Sequence, residues 1–197
     1  MPFIKPVAIE EVPEDIMERF EHYKNTRGFT PNSIQTMVRR PNIVRAFMQL
    51  NQAVLYEGSV GEELKMLVSL IASQVAGCRY CQAHMANLSK IYHSSEEKIG
   101  QVWEFETSKL FTGAEKAALQ LAYFGAMSPS QVEQKHFDEL NKHFDESQIV
   151  EIVASIALFG FLNRWNDTMA TEIEGLPKEV AESTIGDSFG WDVGKHQ

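Results

Sequence analysis

Helix-opening signals recur along the whole chain and strand signals do not, a contrast that sets the fold class. Ser59-Val60-Gly61-Glu62 and Thr112-Gly113-Ala114-Glu115 both place a hydroxyl three residues before a glutamate, and Asp145-Glu146-Ser147-Gln148 has the same frame. At that spacing, side chains and backbone N–H groups of a first helical turn satisfy one another. Ser128-Pro129-Ser130-Gln131 repeats the pattern and is expected to open a helix carrying Phe137 and Leu140. Thr30-Pro31 and Pro41-Asn42 put proline where a helix tolerates it, at the first turn. Apolar residues between these signals follow helical spacing, as in Ile149, Ile152, Val153, Ile156, Phe159 and Leu162 of the longest expected helix, which runs to about Ala170. The fold class is therefore all-α, with no internal repeat and no low-complexity tract.

A chain of 197 residues with 44% hydrophobic side chains can bury one sizeable core. The expected organisation is an N-terminal arm or helix over 1–29, a compact helical domain over 30–174 and a C-terminal arm over 175–197. The formal charge of −9 argues against nucleic acid and against an anionic membrane surface as partners. From Asp167 to Asp192 there are seven acids and one lysine, which reads as a solvated acidic surface. Uncharged apolar runs such as Met66–Cys78 and Ile152–Asn163 are shorter than the roughly 20 residues of a membrane span. The opening residues turn acidic by Glu10 and show no signal-peptide pattern, so a cytoplasmic location is expected.

Chemistry is concentrated at Gly77-Cys78-Arg79-Tyr80-Cys81-Gln82-Ala83-His84, which contains both cysteines of the chain. Two thiols at this spacing can close a small disulfide ring and cycle between dithiol and disulfide. With Gly77 ending one helix, Cys78 falls at the first turn of the next, where free N–H groups and the helix dipole favour a thiolate. Cys81 and His84 follow at one-turn spacing on the same side, so the imidazole is positioned to carry the proton that thiol chemistry requires. A zinc site is the metal alternative, but it wants a fourth ligand and no second cysteine pair exists. Tyr80, Trp165 and Arg164 read as packing or surface-pairing residues.

Gln74-Val75-Ala76-Gly77-Cys78-Arg79-Tyr80-Cys81-Gln82-Ala83-His84 resembles the core motif of the carboxymuconolactone decarboxylase superfamily, in its alkylhydroperoxidase D-like, peroxidase-related branch. Pro31–Tyr56, Phe111–Leu119 and Ile149–Asn166 are similar to the flanking helices, so the resemblance spans about Thr30 to Glu174. It implies an all-α fold, assembly into trimers or hexamers, and a Cys-x-x-Cys peroxidase or disulfide oxidoreductase. Hydrogen peroxide or an organic hydroperoxide would be the substrate, and an external thiol/disulfide partner the reductant, with no metal or organic cofactor. On this pattern Cys81 is the attacking thiol, Cys78 the more exposed resolving thiol and His84 part of the proton relay. Met66 stands where the peroxidase branch carries a glutamate, twelve residues before the first cysteine, so Glu63 and Glu62 become the relay candidates. The rival reading is a redox-responsive interaction protein that oxidises the same pair without turnover.

Overall fold

The computed structural model describes all 197 residues and is entirely helical. After a short 3₁₀ turn come α1 (Glu14–Arg27), α2 (Asn32–Met37), α3 (Pro41–Leu55), α4 (Glu62–Ala76) and α5 (Arg79–Ile91). They are followed by α6 (Glu96–Gly100), α7 (Gly113–Gly125), α8 (Gln134–Leu140), α9 (Glu146–Met169), α10 (Gly175–Thr184) and α11 (Gly186–Phe189). The middle helix is α4: every side chain from Lys65 to Ser73 is buried, because α5, α7 and α9 pack around it. One apolar core of 46 residues joins these helices, and both cysteines belong to it. At about 25 cal/mol per Å² of apolar surface removed from water, that continuity is the main force holding the bundle together.

Local signals hold where nothing distant competes. Thr112 and Asp145 form reciprocal capping boxes with Glu115 and Gln148, and Ser95 caps α6. Each such cap is worth about 1 kcal/mol. Gly77 ends α4 at φ +73°, a left-handed conformation open to glycine. The other expected starts differ. The helix after Ser128-Pro129 begins only at Gln134, and its cap is Glu133 paired with His136. Ser59 caps nothing: its N–H and hydroxyl both turn to the Glu151 carboxylate on α9. Thr30 hydrogen-bonds the Phe20 carbonyl instead of opening α2.

Neither terminal segment hangs free. α1 inserts Ile16, Phe20 and Tyr23 into the core. The residues after 174 fold as α10 and α11 and pack back on α5, with Trp191 donating from Nε1 to the Arg79 carbonyl at 3.4 Å. Ile173 N–H bonds the His196 carbonyl at 3.0 Å, and His196 Nδ1 meets the Thr171 carbonyl at 2.8 Å. The C-terminal segment is thus a strap over the helix that bears the cysteines.

Candidate functional site

Two helix ends meet at the thiols. The left-handed Gly77 reverses the chain so sharply that Cys78 N–H bonds back to Ser73, inside the last turn of α4. Cys78 is the N-cap residue of α5, its carbonyl accepting from Gln82 N–H at 3.0 Å. Cys81 lies one turn further on, close enough for the two thiols to hydrogen-bond. Asn166 of α9 donates from Nδ2 to Cys81 Sγ at 3.4 Å, while its own Oδ1 is buried with no partner. Burial is the largest influence on Cys81 and pushes its thiol well up; the facing Cys78 adds to this and Asn166 opposes it. Cys81 is therefore a protonated thiol near neutral pH and needs a base.

Cys78 is 0% exposed and Cys81 2%. The expectation of an exposed Cys78 is corrected: it lies in the apolar core, at the turn between α4 and α5. The cavity wall contains Cys81 and not Cys78.

His84 shares that wall. Its ring stacks on Tyr80 at 4.2 Å between centroids and meets Phe29 edge-on at 5.5 Å. Its Nε2 lies 2.6 Å from Oε2 of Glu174, the residue that caps α10. The second oxygen of Glu174 accepts the Tyr80 hydroxyl at 3.0 Å and the N–H of Asn32 at the start of α2. A carboxylate surrounded by three donors is held ionised. Burial works against ionisation of Glu174, but the charge and hydrogen bond of His84 and the Asn32 N–H outweigh it, leaving its pKa below the usual value. His84 Nε2 consequently carries a proton, and Nδ1 is the nitrogen available for exchange.

Glu63 and Glu62, the relay candidates from sequence, lie elsewhere. Glu63 binds Lys98 at 2.9 Å and accepts from Ser94, within a pair of salt bridges completed by Glu115. Glu62 is exposed and its charge reaches Tyr92. Met66 is fully buried in the core. The carboxylate at the histidine comes from 90 residues further along, in the segment that reads as solvated acidic surface. Tyr80, expected only to pack, supplies a hydroxyl as well as a ring. The one local hint at Glu174 is its position between Ile173 and the Gly175-Leu176-Pro177 break.

The cavity over Cys81 and His84 is small, about 40 Å³, and is walled largely by apolar and aromatic side chains from α1, α3, α5 and α9. A much larger groove, about 1330 Å³ between α4, α7, α8 and α9, contains neither thiol and none of the three residues around His84. No group of three or more His, Cys, Asp or Glu side chains is arranged to hold a metal ion.

Residues 41–123, which carry both thiols and His84, match the carboxymuconolactone decarboxylase family. Over 92% of this chain and 97% of the other, the fold superimposes on the debrominase Bmp8 with a TM-score of 0.85 and 34% sequence identity. The chain belongs to the carboxymuconolactone decarboxylase family. A Cys→Ala variant of the same debrominase, solved in complex with 2,3,4-tribromopyrrole, agrees as well: TM-score 0.86, 33% identity, 93% of this chain and 98% of that one. A peroxidase-related protein from Ralstonia eutropha JMP134 with an alkylhydroperoxidase AhpD core shares the fold at TM-score 0.80 and 22% identity, over 92% and 97%. The uncharacterised YdfG of Bacillus subtilis is 27% identical over 112 residues, 56% of this chain and 74% of its own. Glu174 and Asn166 both lie outside the span that matches the family, although they complete its site in this chain.

Proposed function

We propose that this protein is a dithiol-dependent reductase that removes halogen from a halogenated aromatic compound. The observation that carries this reading is that the Cys81 thiol and a carboxylate-anchored imidazole line one small cavity with a largely apolar and aromatic wall. Whole-chain likeness to a debrominase at 34% identity supports it. The Cys81 proton passes to His84 Nδ1, and the sulfur takes the halogen as its carbon–halogen bond breaks. The bonding pair remains on the ring carbon, which accepts the proton back from His84. Cys78 then attacks the Cys81 sulfur, halide leaves, and the disulfide forms. The sum is an aryl halide and two thiols converted to arene, disulfide, halide and one proton. An external dithiol restores the pair.

A peroxide is the second candidate electrophile, and the cavity size favours it: about 40 Å³ suits hydrogen peroxide without rearrangement. In that case Cys81 attacks one peroxide oxygen, His84 protonates the departing oxygen, and Cys78 expels water from the sulfenic acid to give the same disulfide.

The two substrate classes are separated by incubating reduced protein and excess dithiol with 2,3,4-tribromopyrrole, 2,4,6-tribromophenol, hydrogen peroxide or tert-butyl hydroperoxide. Bromide and remaining peroxide are the readouts. Bromide release that falls at least 100-fold in Cys81→Ser is the expected result. Peroxide loss without bromide selects the second reading. A Cys78–Cys81 disulfide formed once, with no turnover of either class, overturns both and leaves a redox-responsive protein.

A further inference from the structure

Outside the thiol cavity lies a second hollow of about 410 Å³ between α1, α3 and the end of α5. The two share four wall residues, Tyr23, Arg27, Tyr56 and Leu88. Arg27 Nη2 donates to the Tyr56 hydroxyl at 2.5 Å, a polar contact between two residues that line both hollows. The guanidinium also sits over the Tyr23 ring, 4.5 Å from its centroid.

The chemistry of these walls is lopsided. The chain has 27 acids against 18 bases, yet neither wall contains an acidic residue, and the outer one contains Arg19, His22 and Arg27. Arg19 pairs with the Gln52 amide and Arg27 with a phenol, so neither guanidinium is neutralised by a carboxylate. The Tyr23 hydroxyl is buried and has no hydrogen-bond partner, although its residue is only 2% exposed. A buried hydroxyl without a partner has lost its hydration uncompensated, and a ligand acceptor would restore the missing hydrogen bond. The Tyr56 hydroxyl accepts from Arg27 and keeps its own proton: burial, the largest influence, outweighs Arg27 and holds the phenol at about 12. Donors and positive charge converge here, between aromatic faces.

We propose that the Arg27–Tyr56 pair gates the thiol cavity and selects halogenated aromatic substrates whose ring bears an anionic oxygen. Entry of the substrate breaks the Arg27–Tyr56 contact. The anion takes its place on Arg27, with Tyr23 Oη as second donor, and the ring passes between the tyrosines until its halogen faces Cys81. A charged bidentate donor that loses one phenol and gains an anion is better satisfied than before. This also accounts for a cavity too small for an aryl halide when the gate is shut. The proposal deepens the dehalogenation reading and rests on it for the substrate's halogen.

Calorimetric titration of Cys81→Ser, in which turnover is blocked, tests the gate apart from the chemistry. The probes are 2,4,6-tribromophenol at a pH where it is ionised, its methyl ether, and 3,5-dibromobenzoate. The phenolate is expected to bind at least 10-fold tighter than the ether. Adding Arg27→Gln is expected to cut phenolate affinity about 10-fold and leave the ether unchanged, and Tyr23→Phe to have a smaller effect of the same kind. Benzoate binding as strong as phenolate binding extends the selection to carboxylates, the same anionic-oxygen chemistry. Equal affinity for phenolate and ether, no binding of either, or a preference that survives Arg27→Gln in a folded variant overturns the gate. Bromide release is measured separately on the protein with both thiols. Selective binding without bromide release sinks the dehalogenation reading and leaves the gate; bromide release without selectivity does the reverse.

Discussion

With Glu174 holding Nε2, the His84 imidazole has Nδ1 left for proton exchange, and Tyr80 and Phe29 fix the ring plane. On the proposed mechanism Glu174 is a positioning residue that also stabilises the imidazolium formed when the Cys81 proton is taken up. Glu174→Gln preserves shape and removes the charge. Turnover is expected to fall about 10–100-fold. An unchanged rate would show that the carboxylate only ties α2 to α10. That Cys81 and His84 share one side of a helix was legible from spacing alone, since the two lie one turn apart on α5. Glu174 was not, because sequence patterns report which residues share a face of one element. Nothing in an acidic run says that one member will be drawn 90 positions back to a buried histidine.

Between elements, the strongest polar tie joins α9 to the start of α4. Glu151 accepts the N–H groups of Ser59 and Val60 at 2.8 and 3.0 Å and pairs with Lys65 Nζ at 2.9 Å. Lys65 is 1% exposed, and its remaining partner is the Glu57 carbonyl. Gly58, at φ +96°, brings this loop so close that a Cβ there would collide with the Glu151 carboxylate. Burial alone would raise the Glu151 pKa, but the two backbone N–H groups and Lys65 hold it at about 2. A depressed carboxyl contributes stability that is complete above its ordinary value near 4.5 and is lost as pH falls toward 2. Glu151→Ala leaves a buried lysine without its anion, and should cost about 3–5 kcal/mol in thermal or denaturant unfolding at pH 7. The deficit should shrink below pH 4; a constant deficit would assign it to lost packing. The same tie explains why the capping frame at Ser59 misleads while those at Thr112 and Asp145 hold. A carboxylate from another helix claims the local donors at Ser59, whereas Lys98 takes only the second oxygen of Glu115 and leaves the Thr112 box intact.

At the scale of the molecule, α9 satisfies two demands at once. Its 24 residues are long and apolar enough to cross a membrane, yet the helix packs in the bundle against α4, α5 and α7 and places Asn166 on Cys81. Its outer side leaves Val150, Val153 and Phe161 exposed at 67%, 41% and 43%. We propose that a second copy of the chain covers this apolar stripe, as the assembly implied by the family resemblance would require. Sedimentation at micromolar concentration should give a mass that is a multiple of 22.3 kDa, shifted toward one copy by Val150→Glu with Val153→Glu. A wild-type monomer would exclude this use of the face. The helical class was legible because capping and apolar period agree along most of the chain. The strap was not, because its anchors, Trp191 on Arg79 and His196 on Thr171, depend on pairings no local pattern contains.

That strap has a consequence in time as well as in space. Synthesis at about 5–20 residues per second separates the emergence of His84 from that of Glu174 by roughly 5–20 s. Through that interval the helix bearing both thiols can form while its imidazole lacks a counter-ion and its N-terminal turn lacks a cover. The nascent chain therefore carries its sulfurs before it carries the carboxylate that anchors His84, and on the proposed mechanism the site is complete only when the strap docks.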